Sequence, residues 1–206
     1  MVGLAHLHGA DSTLPAMGGE HVEDALGDEA GRGWCPHLAM LLESPDQLHS
    51  SLAAFYRLGA GRNGWVFHRS LPEHEARDRT GLEAAGLDVA KLETEGRFAL
   101  SEAPVDEPPE SWAQPWVPVI DERLGAGFDA VWWSRFPVGI TDPAFDLAVA
   151  YDAAWDAAMR DRRAVSLCVY IVGKSAGEAS ARLGDIHDGL LHVTDDGASL
   201  TRTREP

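Results

Sequence analysis

The sequence predicts a three-layer α/β domain, in which a mainly parallel sheet lies between helices on both faces. Short apolar runs of strand length alternate with helical stretches along most of the 206 residues. Two of the runs, 38–42 (LAMLL) and 164–172 (AVSLCVYIV), are apolar nearly throughout, which is typical of strands buried on both faces. Parallel neighbours need crossover connections of about a dozen residues or more, and the helical stretches provide them.

The first predicted strand, 38–42, leads directly into a helix start. Ser44 occupies the capping position, Pro45 the first helical position, and Gln47 the position that completes a capping box. This helix is predicted to end at Gly59 and Gly61, because glycine tolerates the backbone conformation that terminates helices. A second strand, a helix interrupted by glycines and a third strand follow at 64–69, 72–92 and 97–100.

Five prolines between residues 102 and 118 predict an excursion or lid rather than a regular element. A helix at 119–124 then leads to the fourth strand, 128–133 (FDAVWW), in which the adjacent Trp132 and Trp133 must point to opposite faces. The remaining predicted elements are a long helix from 143, the strand 164–172, a helix from 175 and a last strand at 190–193.

The ends of the chain lack this alternation. Residues 1–33 are rich in Gly, Ala and acidic residues and predict a flexible N-terminal tail with one short helix near 20–26. Residues 195–206 are polar and predict a C-terminal tail that frays. The folded domain is therefore expected to span residues 34–194.

Composition argues against nucleic-acid and membrane functions. The chain carries 33 acidic and 17 basic side chains, for a net charge of −16, whereas a nucleic-acid surface needs clustered Lys and Arg. No apolar stretch reaches the length of a membrane span, and the N-terminus lacks the pattern of a secretory signal. Two cysteines do not make a disulfide framework. We therefore expect a cytoplasmic protein with free thiols.

Motifs for nucleotide binding and covalent catalysis are missing from the positions where they would act. A phosphate loop needs glycines and a lysine after the first strand, but residues 43–46 read ESPD. Residues 173–175 (GKS) resemble the end of such a loop, yet the glycine required five residues earlier falls on Cys168, inside a strand. There is no GxSxG nucleophile elbow. No catalytic residue is predicted.

Cys35, Pro36 and His37 are adjacent and resemble the short Cys-Pro sequences of some haem-responsive proteins. Haem or a metal at Cys35 and His37 is therefore an option, although no cofactor is predicted. Four histidines lie at the ends of predicted elements and could converge, namely His37, His68, His187 and His192. Because no pair has the spacing that places two ligands on one ion, no metal site is assigned.

Ligands of parallel sheets bind at the carboxyl ends of the strands, so the binding site is predicted at that edge, beneath segment 102–118. Ordering of this segment would be the signal. Glu43 and His68 are candidates for a hydrogen-bonded pair. The residues predicted to bind the ligand are His37, Glu43, His68, Trp133, Tyr170 and His187.

The order of several short blocks resembles a known family. His37 opens an apolar strand that ends in Glu-Ser-Pro, a block LEAAGLDVAKLETEGRFAL follows, and GFDAVWW and LCVYIV come later. Over 35–192 the chain is similar to the MEDS sensory domain of methanogen and methylotroph regulators, including the dichloromethane-responsive repressor. It departs from the family pattern at Ala39, where a polar residue or cysteine is common, and at Leu42, where tyrosine is often found.

The resemblance implies a RecA- or KaiC-like α/β core whose phosphate loop has degenerated. It also implies the sensing of a small molecule, such as a hydrocarbon derivative, in bacterial transcription or signal transduction. We expect a stand-alone sensor that signals to a kinase, an anti-sigma factor or a transcription factor. Two alternatives remain open: a protein–protein adaptor without a ligand, and an enzyme that uses Glu43 or a histidine in acid–base chemistry. Homodimerisation is also open.

Overall fold

One sheet of eight strands organises the parts of the chain that the computed structural model describes, which are residues 19–30, 37–102, 108–173 and 175–204. The strands are β1 (His37–Leu42), β2 (Trp65–Ser70), β3 (Phe98–Glu102), β4 (Val131–Arg135), β5 (Val138–Gly139), β6 (Ala164–Ile171), β7 (Gly189–Thr194) and β8 (Gly197–Arg202). Their order is β3-β2-β4-β6-β1-β7-β8, and β5 pairs with β6 outside this path. Every pairing is parallel except that of β7 with β8. The predicted fold class is confirmed.

Helices cover both faces of the sheet. They are α1 (Gly19–Ala30), α2 (Leu48–Gly61), α3 (Glu75–Ala84), α4 (Val89–Thr94), α5 (Pro109–Trp112), α6 (Trp116–Gly125), α7 (Phe145–Met159) and α8 (Ala176–Leu183). Buried side chains of α1 to α4 form one hydrophobic core with the sheet, and those of α5 to α8 form a second core. We call the two sides of the sheet the α2 face and the α7 face.

Successive side chains of each central strand point alternately to the two cores. In β1, Leu38 and Met40 face the α2 core, whereas Ala39 and Leu41 face the α7 core. Trp132 and Trp133 likewise lie on opposite faces, as their adjacency predicts. All six residues of β1 are buried. The apolar run that predicted this strand therefore reflects burial on both faces.

The turn after β1 has the predicted capping box instead of a phosphate loop. Asp46 N donates to Ser44 Oγ at 3.2 Å, and Ser44 N donates to Gln47 Oε1 at 3.0 Å. Pro45–Gln47 form a short 3-10 turn that leads into α2. Because the side chains of the turn satisfy its own backbone donors, these donors are not presented to a phosphate.

Both segments predicted as tails contain regular structure. In α1, Val22 and Leu26 are buried in the α2-face core. Residues 197–202 form β8, which pairs with β7 and was not predicted. This strand is polar because an edge strand needs to bury only one side, and the turn Asp195-Asp196-Gly197 is a hairpin signal that could have revealed it.

Gly59 and Gly64 let Trp132 pack closely against the end of α2 and the start of β2. A Cβ atom at Gly59 would lie 2.5 Å from Trp132 Cγ, and one at Gly64 would lie 2.4 Å from Trp132 Cδ1. The ring occupies the space that a side chain at either position would need.

Substituting Gly59 with alanine is therefore expected to lower the free energy of unfolding by about 1–3 kcal/mol, because the methyl group overpacks the core against a buried indole. Gly61 in the same helix has no atom within 4 Å of the corresponding position. G61A should instead be neutral or raise stability by up to about 1 kcal/mol through helix propensity. Urea unfolding of the two variants measures the difference, and equal stabilities would contradict the packing argument.

Candidate functional site

A cavity of about 290 Å³ opens at the carboxyl edge of the sheet, between the ends of β2 and β4. The chain leaves β2 toward α3 on the α2 face, and it leaves β4 toward α7 on the opposite face. Such a divergence of neighbouring strands opens the crevice where α/β sheets bind ligands. The lining residues are Leu71, Trp112, Arg135, Phe136, Pro137, Val138, Asp142, Ala144, Leu147, Ala148 and Tyr151.

The wall of this cavity is mainly apolar. Trp112 of α5 covers one side and also contacts Tyr151, with ring centroids 5.2 Å apart. Segment 102–118 therefore contributes to the cavity through α5, while residues 103–107 lie outside the described part of the chain. Arg135 and Asp142 are the charged residues of the lining.

Arg135 is held by a buried ion pair behind the cavity wall. Its Nε and Nη2 donate to the two carboxylate oxygens of Asp152, each at 3.0 Å. Tyr170 also donates to Asp152 and accepts from Arg135 Nη2 at 3.0 Å. Burial opposes ionisation of Asp152, but the Arg135 guanidinium outweighs it and holds the pKa of this carboxyl well below its usual range. The pair is therefore charged in the folded protein.

Beyond Asp152, two histidines and a cysteine form a second polar group. Asp152 Oδ2 lies 3.5 Å from His187 Nε2, and the His187 ring centroid is 4.3 Å from that of His37. His37 Nε2 is 3.2 Å from Cys168 Sγ. Burial raises the pKa of the Cys168 thiol and lowers the pKa of His187. His37, Cys168 and His187 are called the His–Cys cluster below.

The His–Cys cluster continues to the amino edge of the sheet through Asp156. His37 Nδ1 lies 3.7 Å from Asp156 Oδ1, and Asp156 also pairs with the exposed Arg160 and with Arg204. Burial disfavours ionisation of Asp156, but the nearby His37 and Arg160 side chains outweigh it and lower its pKa. A continuous row of polar side chains thus crosses the α7 face from the cavity to the opposite edge.

The α2 face holds a separate buried polar group around Asp78. Tyr56 Oη lies 2.8 Å from His68 Nδ1, and His68 Nε2 lies 3.5 Å from Asp78 Oδ2. Ser70 Oγ donates to Asp78 at 2.5 Å. Burial opposes ionisation of Asp78, but bonds from His49, His68 and Ser70 outweigh it and lower its pKa. These contacts join β2 to α2 and α3 beneath the surface, away from the cavity.

The predicted pairing of Glu43 with His68 is wrong. Glu43 is exposed after β1, whereas His68 is buried and contacts Tyr56 and Asp78. Two strands, β6 and β4, lie between β1 and β2, so the two side chains end far apart.

The other predicted site residues are brought together only in part. His37 and His187 meet at the amino edge of the sheet, opposite the cavity. Tyr170 reaches the cavity indirectly through Arg135, and Trp133 does so through Trp112, 5.7 Å away between ring centroids. Among the described residues, the cavity lining includes none of the six predicted side chains.

Sequence reasoning missed Arg135, Asp152 and the contact of Cys168 with His37. The fourth strand was predicted at 128–133, but β4 is Val131–Arg135, because the polar Ser134 and Arg135 are buried strand residues. Arg135 lies only two residues after the predicted end of this strand, so the rule that sites follow strands indicated its neighbourhood. Asp152 lies among the apolar residues of the α7 stripe, and a charge on that stripe was the available signal.

No helix within the described residues is both long enough and apolar enough to cross a lipid bilayer. A search of curated protein sequences finds no match. Among solved structures, the chain is similar to the uncharacterized protein PH0321 of Pyrococcus horikoshii, crystallised with an unknown peptide, with a TM-score of 0.55, 13% identity and 92% coverage of both chains. It also matches a KaiC-like protein, PH0186, of the same archaeon, with a TM-score of 0.49, 14% identity and coverage of 82% of this chain and 80% of that one.

At these identities, the solved structures show the fold alone. The sequence model of the MEDS family, described as the methanogen/methylotroph, DcmR sensory domain, matches residues 36–188. This range includes every strand from β1 to β6, the cavity and the His–Cys cluster. The chain therefore belongs to the MEDS family of sensory domains.

Proposed function

We propose that this chain senses a small, largely apolar molecule, such as a hydrocarbon derivative, that binds in the cavity between β2 and β4. The observation that carries the proposal is the cavity itself, which lies at a divergence of parallel strands and is walled by Trp112, Phe136 and Ala148. Its volume of about 290 Å³ lies at the small end of ligand sites, which favours a molecule of few heavy atoms.

The signal in this proposal is a change in α5, the helix that carries Trp112. Trp112 is buried against Trp133, Trp155 and Tyr151, and it also borders the cavity. A ligand that packs against the indole stabilises α5 on the sheet, and the segment 102–118 that contains α5 would transmit this change. A regulatory protein, such as a kinase, an anti-sigma factor or a transcription factor, would read this change.

Substituting Ala148 with phenylalanine tests the cavity. Ala148 lines it from the first half of α7, so the aromatic ring fills the space that the ligand needs. We expect saturation-transfer NMR with dichloromethane and toluene as probes to show binding to the wild type and none to A148F. Amide hydrogen exchange in 108–125 should slow when a probe binds.

The matched control is A153F, which places the same ring on the exposed side of the same helix. It should bind the probes as the wild type does. Equal binding by A148F and A153F would contradict this cavity as the site, and the absence of binding by the wild type would contradict the ligand class.

The two alternative functions have less support. An adaptor would need an exposed apolar patch to bind its partner. Among the described residues, Leu147 is the single large hydrophobic side chain found exposed, which does not form such a patch. Buried carboxylate–histidine contacts exist at Asp78–His68 and Asp152–His187, but all four side chains are at most 2% exposed. A substrate would not reach them, and we propose a non-catalytic role.

A further inference from the structure

The His–Cys cluster has the donor geometry of a metal site. One imidazole nitrogen of His37, one of His187 and the sulfur of Cys168 all lie within 4.8 Å of one another. The three residues come from β1, β6 and the loop before β7, and each is at most 5% exposed. Histidine nitrogen and cysteine sulfur are the ligands that bind zinc in structural sites.

The surroundings of His187 leave one of its nitrogens without a suitable partner. Its Nδ1 lies 3.0 Å from the carbonyl oxygen of Leu183, and its Nε2 lies 3.5 Å from Asp152 Oδ2. A neutral imidazole has a single N–H, so it donates to only one of these two acceptors. Nε2 makes no hydrogen bond in the described residues although it is fully buried. When Nδ1 carries the proton, the lone pair of Nε2 faces the negatively charged carboxylate of Asp152. A cation bound to Nε2 would remove this repulsion.

The His37 ring also directs one nitrogen into the cluster and the other away from it. Its Nε2 faces Cys168 Sγ at 3.2 Å, while its Nδ1 is directed at Asp156 Oδ1, 3.7 Å away. The outer nitrogen of His187 is hydrogen-bonded to the Leu183 carbonyl, whereas that of His37 faces Asp156 without a hydrogen bond at this distance. Metal-bound histidines are held by such second contacts, which fix the tautomer that directs the free nitrogen to the ion.

We propose that His37, Cys168 and His187 bind one Zn²⁺ ion, through Nε2, Sγ and Nε2 respectively. On binding, the Cys168 thiol loses its proton to solvent and the thiolate forms the Zn–S bond. With Zn–S near 2.3 Å and Zn–N near 2.0–2.1 Å, tetrahedral donors lie about 3.3–3.6 Å apart. His37 Nε2 and Cys168 Sγ already lie 3.2 Å apart, and the other donor separations, none above 4.8 Å, adjust to these distances on binding. Asp152 Oδ2 lies 3.5 Å from His187 Nε2 and is the nearest carboxylate contact of that nitrogen. This site is distinct from the proposed ligand cavity.

Titration with Co²⁺ tests the site, because a cobalt–thiolate bond produces a charge-transfer band in the near ultraviolet. We expect the full chain to develop this band to one Co²⁺ per molecule and to lose it when an equivalent of Zn²⁺ is added. The chain has two cysteines, Cys35 and Cys168. In the C35S variant a thiolate band must come from Cys168, so C35S should behave as the wild type does.

The variants C168S and H187Q should lose the band, whereas H192Q, which changes a histidine outside the cluster, should keep it. Circular dichroism verifies that each variant is folded. Should C168S or H187Q fail to fold, the spectra of C35S and the wild type still show whether Cys168 binds the metal. Folded wild type without a thiolate band would overturn the proposal, and so would a band that disappears in C35S.

Discussion

Replacing Asp152 with alanine is expected to lower the free energy of unfolding by about 3–5 kcal/mol, because the substitution leaves the Arg135 guanidinium buried without a counter-charge. Both side chains are nearly inaccessible, with 3% exposure for Arg135 and none for Asp152. Asp152 also accepts from Tyr170, so the alanine variant removes an acceptor from a second buried group. Denaturant unfolding at neutral pH measures the loss.

The double variant R135M/D152L is the control for this prediction. Replacing both members of a buried pair with apolar side chains of similar size removes the uncompensated charge, so the loss should be much smaller than in D152A. Nearly equal stabilities of D152A and the double variant would show that the effect comes from lost packing. The pair would then not be the source of the predicted instability.

Replacing Trp155 with alanine is expected to lower the free energy of unfolding by about 3–5 kcal/mol, the range of large-to-small substitutions of buried aromatic residues. Trp155 is completely buried and stacks on Trp133, with ring centroids 4.0 Å apart and planes 13° apart. Its Nε1 donates to Ser166 Oγ at 2.6 Å. Alanine creates a cavity at the centre of the α7-face core and leaves a buried hydroxyl without its donor.

The variant W155F separates packing from hydrogen bonding. Phenylalanine retains most of the stacked surface but cannot donate to Ser166, so W155F should be clearly more stable than W155A and less stable than the wild type. Urea unfolding followed by far-ultraviolet circular dichroism makes the comparison independent of tryptophan fluorescence. A wild-type stability for W155A would contradict the assignment of this stack to the core.

The central sheet could be predicted because its strands are apolar on both faces and bounded by capping residues and glycines. β1 and β6 differ from the predicted strands 38–42 and 164–172 by only one residue at an end. Prediction was poorer where pairing, not hydrophobicity, makes the strand. β8 is polar and forms by pairing with β7, and the last two residues of β4 are polar yet buried.

The candidate site could be predicted only as a location. The rule for parallel sheets identified the carboxyl edge, and the cavity lies there beside α5. The individual residues depended on strand order, because β1 and β2 are consecutive in sequence but are separated by β6 and β4 in the sheet. His37 and His187 lie 150 residues apart in the chain, and only the pairing of β1 with β7 brings them together.

Asp152 accepts hydrogen bonds from Arg135 of the cavity wall at both carboxylate oxygens, and one of these oxygens, Oδ2, also lies 3.5 Å from His187 Nε2. A displacement of this single carboxylate therefore changes both environments at once. If occupancy of one changes the affinity of the other by some factor, thermodynamic linkage requires the reverse effect to have the same size. If both proposed ligands bind, the molecule would combine two chemical conditions in one output.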